Sequence, residues 1–159
     1  MREDIMKLLV LNGPNLNMLG VREPDIYGRM DYHWLEGTVT AYAESKGVEI
    51  AVRQSNIEGE LATWIQQARG AYDGIIINPG AFTHYSYTLL DALLSAEVPS
   101  VEVHISNIHK RELFRHTSVT APASMGQICG LGAKGYLLAI DYHLSRKALS
   151  RVGENPGGL

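Results

Sequence analysis

The sequence predicts an α/β protein with a doubly wound parallel sheet that carries helices on both faces. Along the 159 residues, apolar runs rich in β-branched residues alternate with segments of helical periodicity. Glycines stand where two of the helical segments should end, at Gly47 and Gly70. The central run "GIII", from Gly74 to Ile77, is fully apolar, as expected of a strand covered on both faces. Strands separated by helices form βαβ units, which pair in parallel.

The first half of the chain contains two predicted strand–helix pairs. The short apolar run Lys7–Leu11 predicts the first strand. Apolar residues at helical spacing predict a helix over Tyr32–Gly47. The run Val48–Gln54 predicts a second strand, and Glu58–Gly70 a second helix.

The second half of the chain continues the alternation. A third strand is predicted over Gly74–Asn78, and a helix over Ser86–Ala96. Valine and isoleucine alternate with polar residues over Pro99–Ser106, which predicts a fourth strand. Three further elements are expected: a short helix around residues 110–116, a fifth strand near residues 126–130 and a last helix over residues 135–150.

About five strands make a flavodoxin-like sheet the best fit. The pattern contains no internal repeat and no linker, so we expect residues 1–149 to form a single domain. Residues 150–159 are expected to form a mobile tail.

Composition narrows the classes of function. Hydrophobic residues make up 45% and charged residues 19% of the chain, values typical of a globular protein. The net charge of −3 gives no reason to expect a nucleic acid partner. Cys129 is the only cysteine, which excludes an intramolecular disulfide. We see no signal peptide and no apolar run of membrane-spanning length, so we expect no membrane partner and a cytoplasmic location.

Polar residues cluster where the predicted strands end. In parallel α/β sheets, ligands bind outside the carboxyl ends of the strands. The groups expected at this edge are mostly neutral hydrogen-bonding groups, which favours a polyhydroxylated ligand over an apolar one. These residues are Asn12, Gly13, Gln54, Ser55, Asn56, Asn78, Pro79, Gly80, His104, Ser106 and Asn107.

The fourth strand carries a possible acid. Period-two alternation places Glu102, His104 and Ser106 on one face, opposite the β-branched residues. A carboxylate two residues from an imidazole on the same face could orient and charge it, making a general acid. A structural ion pair beneath the edge of the sheet is the alternative.

Two further pairs have both a functional and a structural interpretation. Arg111 and Arg115 are four residues apart, so on one helix face they could hold a carboxylate or phosphate, or they could simply be a solvated basic surface. His84 and Asp91 would lie on one side of a helix that began early, and could bind hydroxyl groups. Helix capping by Thr83 or Ser86 is the alternative there.

Other motifs argue against nucleotide and metal chemistry. "GLGAKG" (Gly130–Gly135) matches G-x-G-x-x-G but precedes the last helix rather than following the first strand. Tight packing of a strand against a helix explains it better. The six histidines form no H-E-x-x-H motif, so we expect no metal.

Five ordered stretches of the chain belong together: "NGPNLNMLGVREPDIYG", "RQSN", "INPGAFTH", "EVHISNIHKRELFR" and "GLGAKGYLLAIDYHL". They resemble the type II 3-dehydroquinate dehydratase (type II dehydroquinase) family, and the resemblance runs from about residue 8 to residue 144. It implies a flavodoxin-like subunit of a homododecamer (a tetramer of trimers) and cofactor-free loss of water from 3-dehydroquinate to give 3-dehydroshikimate, a step of the shikimate pathway.

The resemblance also implies residue roles. Tyr27 would take the proton from C2, and Arg22 would stabilise the charge beside it. His104, oriented by Glu102, would protonate the departing C1 hydroxyl, and Asn15 would hold a water that supports the enolate oxygen. Arg111 would tune the lid, and the substrate would be bound by Asn78, His84, Asp91, Ile105, Ser106 and Arg115.

The loop from Asn12 to Gly28 then becomes a candidate lid. Its Gly20, Pro24 and Gly28 would let it close over substrate and exclude water. A non-catalytic flavodoxin-like module that binds a small polyol acid or phosphate is the competing hypothesis, and a nucleotide-dependent enzyme using "GLGAKG" is a weaker one. A paired base and acid favour catalysis, because a pure binding protein needs neither.

Overall fold

A computed structural model of the chain describes residues 5–21 and 30–153. Within them lies one five-stranded sheet in the order β2-β1-β3-β4-β5, with every neighbouring pair parallel. The predicted fold class is confirmed. The strands are β1 (Lys7–Asn12), β2 (Glu49–Gln54), β3 (Gly74–Asn78), β4 (Ser100–His104) and β5 (Gly126–Cys129). The α-helices of the described residues are α1 (Tyr32–Ser45), α2 (Glu58–Gln67), α3 (Tyr87–Ala96) and α4 (Lys134–Val152).

The helices cover the two faces of the sheet in pairs. Alternate residues of β1 separate the two layers: Leu8 and Val10 belong to the core under α1 and α4, whereas Leu9 and Leu11 belong to the core under α2 and α3. All four leucine and valine side chains are almost completely buried. Each contributes about 1.5–3 kcal/mol through the apolar surface it removes from water. The sheet is therefore held rigidly between two apolar layers.

The helix starts follow local capping chemistry. The carboxylate of Asp31 accepts a hydrogen bond of 2.7 Å from the backbone N–H of Trp34 at the start of α1. At the start of α3, the hydroxyl oxygen of Ser86 accepts a hydrogen bond of 3.0 Å from the backbone N–H of Leu89. The capping interpretation is therefore confirmed for Ser86. Gly153, at φ 82°, ends α4.

Most predicted elements agree with the structure to within three residues, and three differences concern β4, the loop after it and the last helix. β4 ends at His104, and the carbonyl oxygen of the next residue, Ile105, accepts the backbone N–H of Gly132 in the loop that follows β5. The predicted short helix is two separate 3-10 turns, Ile108–Lys110 and Leu113–Arg115. Helix α4 continues through Val152, so it extends into the segment predicted as a tail. Residues 154–159 lie outside the described residues.

The strand order places the switch point of the sheet between β1 and β3. Asn12 and Asn78 pair across this junction, each at the carboxyl end of its strand. The helices that follow β1 and β3 cover opposite faces, which opens a crevice at this point in doubly wound sheets. None of the described helices is long and apolar enough to cross a membrane.

Candidate active site

Two asparagines at the switch point are fixed by one buried tyrosine. The hydroxyl of Tyr136, on α4, donates to Oδ1 of Asn12 at 2.7 Å and accepts from Nδ2 of Asn78 at 3.0 Å. Oδ1 of Asn78 accepts the backbone N–H of Gly80 at 3.1 Å. Burial raises the pKa of Tyr136 far above its usual value, so the hydroxyl keeps its proton. Among the described residues, the second amide hydrogen of Asn78 has no partner, so it is left for a ligand.

Glu102 and His104 form the pair that the alternation of β4 predicts. Nε2 of His104 donates to Oε1 of Glu102 at 2.7 Å. Glu102 is completely buried, and His104 is 6% exposed. An ionised carboxylate accepts but does not donate, so Nε2 must carry a hydrogen, and Nδ1 is the nitrogen left to exchange a proton with a ligand.

The carboxylate of Glu102 also accepts hydrogen bonds from four side chains besides His104. Burial alone would raise its pKa, but hydrogen bonds from His104 and from hydroxyl groups outweigh burial and lower the pKa to about 2. Glu102 is therefore charged at neutral pH, although no part of it reaches solvent. The other donors are Thr83 at 2.6 Å, Ser118 at 2.8 Å, Thr120 at 2.6 Å and Gln127 at 2.9 Å.

Asn15 lies just beyond β1, in a backbone turn with φ 67°. Its N–H donates to Oδ1 of Asn56 at 2.9 Å, so the end of β2 fixes the turn. Gly13 packs directly against β3: a Cβ there would lie 2.3 Å from the carbonyl oxygen of Pro79. These contacts hold the start of the predicted lid at the carboxyl edge, with the exposed side chain of Asn15 facing solvent.

His84 and Asp91 do not share a continuous helix, so the early helix start on which that interpretation depended does not occur. His84 ends a 3-10 helix (Gly80–His84), and α3 starts only after the cap at Ser86. Nδ1 of His84 lies 2.8 Å from the carbonyl oxygen of Thr117, and Asp91 is exposed on α3. The extended backbone at the cap residue, Ser86, interrupts the helix, so helical spacing does not relate the positions of His84 and Asp91.

Arg111 and Arg115 also fail to share one helix face. Arg111 has an extended backbone between the two 3-10 turns, which interrupts the helix, and Glu112 follows it at the start of the second turn. The carboxylate of Glu112 lies between the two guanidinium groups, 3.8 Å from Nε of Arg111 and 3.0 Å from Nε of Arg115. Arg115 also stacks on the ring of Phe114. The two arginines thus flank a carboxylate of the chain itself.

The glycine motif after β5 closes back on the end of β4. The N–H groups of Gly130 and Gly132 donate to the carbonyl oxygens of His104 and Ile105, both at 3.1 Å. Further along, a Cβ at Gly135 would lie 3.1 Å from the side chain of Val103. The interpretation as tight strand–helix packing is confirmed. Ser106 lies exposed beside this contact, past the end of β4.

Only some residues of the site are predicted by the sequence. The alternation of one strand predicts Glu102 and His104, whereas Arg22 and Tyr27 lie outside the described residues. Thr83 is expected only as a possible helix cap, and Tyr136 and the other donors to Glu102 are not expected at the site. The unusual density of hydroxyl residues in "HTSVTAP" is the signal that could have pointed to them.

Two open surface depressions lie at the opposite edge of the sheet. One is lined by residues around Ile5, Gly47 and Arg151, and the other by residues around Lys7 and Asp73. Neither contains a buried polar network. We therefore place the candidate site at the carboxyl edge, where Asn12 and Asn78 lie near the buried Glu102–His104 pair.

A flavodoxin-like sheet with a buried carboxylate–imidazole pair at its carboxyl edge defines a class of protein: a small α/β enzyme fold with an acid–base site for a polar ligand. The chain belongs to the family described as Dehydroquinase class II, which it matches over residues 6–144.

Similar proteins carry names from this family. The chain is 59% identical to a 3-dehydroquinate dehydratase of Lachnoclostridium phytofermentans, over 88% of this chain and 97% of that protein. It is 57% identical to a 3-dehydroquinate dehydratase of Dictyoglomus turgidum, over 86% of this chain and 94% of the relative. The crystal structure of a type II dehydroquinase from Butyrivibrio crossotus superposes with a TM-score of 0.85 at 51% identity, covering 89% and 99% of the two chains.

Proposed function

We propose that the protein is a type II 3-dehydroquinate dehydratase that removes water from 3-dehydroquinate to give 3-dehydroshikimate. The single observation that carries the proposal is the buried Glu102–His104 pair at the edge where such sheets bind ligands. Family membership along most of the chain supports the same reaction. The step belongs to the shikimate pathway, which leads to chorismate and the aromatic amino acids.

The first step is removal of the C2 proton by Tyr27. The electron pair of the broken C–H bond forms an enolate, whose oxygen is supported by a water held by Asn15. A free tyrosine has a pKa of about 10, so a phenolate at neutral pH requires roughly 4 kcal/mol of stabilisation. One guanidinium about 4 Å away contributes on that order at an effective dielectric constant near 20. Arg22 would be sufficient for this role at such a distance.

The second step is loss of the C1 hydroxyl in an anti elimination. The enolate collapses to the conjugated enone, the C1–O bond breaks, and Nδ1 of His104 gives its proton to the leaving oxygen, which departs as water. The ionised Glu102 supports this step because it stabilises the imidazolium and fixes the ring. The proton adjacent to a ketone is already acidic, so the chemistry requires neither a metal nor a cofactor.

The substrate is a polyol acid, and the edge of the sheet offers matching groups. The free amide hydrogen of Asn78 suits a hydroxyl group. Arg115 carries the charge that a carboxylate needs, with Arg111 beside it as a residue that tunes the lid. We propose that the ring hydroxyls and carboxylate are also bound by His84, Asp91, Ile105 and Ser106.

The proposal is tested by adding 3-dehydroquinate to purified protein and following the enone by its ultraviolet absorbance. We expect turnover by the native chain, with kcat nearly abolished in Tyr27→Phe while substrate still binds. Borohydride added with substrate should leave the enzyme active, because no Schiff base forms. Absence of turnover by folded protein would favour the alternative, a module that binds the polyol acid without converting it.

We further propose that twelve copies assemble as a tetramer of trimers in the cytoplasm. Leu113 and Phe114, which are 81% and 68% exposed in the single chain, support burial in an assembly. Sedimentation should then give a mass of about 210 kDa, twelve times the chain mass of 17.5 kDa. A monomer at micromolar concentration would contradict this assembly.

A further inference from the structure

The buried carboxylate of Glu102 has more donors than are needed to orient His104. The single bond of 2.7 Å from Nε2 of His104 already fixes the ring. Three hydroxyl groups nevertheless reach the same carboxylate from outside β4. We refer to Thr83, Ser118 and Thr120 as the hydroxyl cluster.

The geometry of the hydroxyl cluster directs its hydrogens towards the carboxylate. The three oxygens lie 2.8–3.2 Å from one another. Each hydroxyl has only one hydrogen, and an anion attracts that hydrogen more strongly than a neutral oxygen does. Thr83 and Thr120 are completely buried, so water cannot replace either donor. The cluster therefore delivers three hydrogen bonds to one charge.

A buried carboxylate without these donors would make His104 a weak acid. A full negative charge next to an imidazolium raises the pKa of the imidazolium by up to several units in a water-excluded site. General acids work best when their pKa lies near the working pH. Donors that share the negative charge of Glu102 reduce its pull on the imidazolium proton.

We propose that the hydroxyl cluster tunes the acid strength of His104 by sharing the charge of Glu102. Its members are positioning residues, since they act through Glu102 and touch no reacting atom. The inference rests on the proposed role of His104 as the acid. The hydroxyl cluster would then have a function in addition to holding Glu102, and through it the ring of His104, in place.

Among the residues that the structure describes, the ionisable groups near His104 leave Glu102 as the dominant charge. Cys129 on β5 pairs with His104 in the register of the sheet, and burial, followed by the charge of Glu102, raises the pKa of its thiol. Tyr136 on α4 keeps its proton because burial raises its pKa. His84, next to the cluster, is bonded to a backbone carbonyl. The charged groups of the following loop, Arg111, Glu112 and Arg115, pair with one another near the surface.

The test measures the pKa of the His104 ring directly. Protein with ¹³C-labelled histidine is titrated by NMR, and the His104 signal is assigned by its loss in His104→Gln. In Thr120→Val, which keeps the side-chain shape but removes one donor, we expect this pKa to rise by about half a unit. The basic limb of the kcat–pH profile should rise by the same amount, with KM changed less than about two-fold.

Matched variants separate tuning from packing. Thr120→Ser restores a hydroxyl and should bring the pKa and the profile back towards those of the native protein. Ser100→Ala removes a buried hydroxyl from the same strand as Glu102, but that hydroxyl bonds Ser124 and not Glu102. This variant should therefore leave the pKa of His104 and the kcat–pH profile unchanged. Ser118→Ala is the second test of the cluster if Thr120→Val does not fold.

The inference is overturned if the pKa of His104 stays unchanged in Thr120→Val, or in Ser118→Ala where that variant is used, even when kcat falls. A purely structural cluster would give that result. The titration needs no turnover, so its outcome is independent of the proposed function. Normal activity in His104→Gln would refute the acid role while leaving the measured link between cluster and imidazole in place.

Discussion

Replacing Glu102 by glutamine removes the buried charge while keeping the hydrogen bonds. The amide oxygen can take the position of Oε1, which accepts from His104, Thr83, Ser118 and Gln127. The amide nitrogen then faces the hydroxyl of Thr120, which can rotate to accept instead of donating. Glu102→Gln therefore tests the charge with little change in packing.

The size of the effect follows from the geometry of the pair. Charges centred about 4 Å apart interact by on the order of 4 kcal/mol at an effective dielectric constant near 20. Because the donors around Glu102 already share its charge, we expect roughly half of this at the imidazole of His104. The pKa of His104 should then fall by about 1.5 units. Where the pH lies above the pKa of the ring, the protonated fraction, and with it kcat, should fall by up to about thirty-fold.

The assay is enone absorbance at saturating 3-dehydroquinate, measured from pH 5 to pH 9. The deficit in kcat should shrink as the pH falls, because a lower pH favours the protonated imidazole. Glu49→Gln, the same change at an exposed position of β2, is the control and should behave like the native protein. A Glu102→Gln profile that superimposes on the native one, or a deficit that does not depend on pH, would refute the electrostatic reasoning.

Other predictions concern stability and substrate binding. Burial lowers the pKa of His143 from its usual 6.5 to about 4. As the pH falls below 6.5, His143 is therefore protonated in the unfolded chain before it is protonated in the folded one, and about 3 kcal/mol of unfolding free energy should be lost between pH 6.5 and pH 4. Urea titrations of His143→Phe should show a flatter pH dependence, and an unchanged slope would contradict this. Gly74→Ala would place a Cβ 2.5 Å from the His143 ring and should cost about 1–3 kcal/mol of unfolding free energy; native-like stability would refute the clash. Tyr136→Phe removes the buried hydroxyl that bonds Asn12 and Asn78, and it should lower the unfolding free energy by about 1–3 kcal/mol as well. It should also raise KM more than it lowers kcat, whereas a loss confined to kcat would argue against substrate contact at Asn78.

The parts of the site that the sequence predicted are those set by local geometry. Glu102 and His104 are two residues apart on one strand, so strand periodicity alone brings them to the same face. Thr120 reaches Glu102 from 18 residues away, through a loop whose path no periodicity specifies. Tyr136 meets Asn12 across 124 residues, which requires the sheet order and the packing of α4. Spacing alone misled where the backbone departs from a helix, as between Arg111 and Arg115.

Glu102→Gln and Thr120→Val change the same carboxylate in opposite electrostatic senses. Removing the charge weakens the hold on the imidazolium of His104, so the pKa of the ring falls. Removing a donor concentrates the charge, so the pKa of the ring rises. Loosened packing would lower activity in both variants without opposite shifts in the pH profile. Opposite shifts would therefore identify the charge of Glu102, rather than its fit in the core, as the quantity that the surrounding hydroxyl groups control.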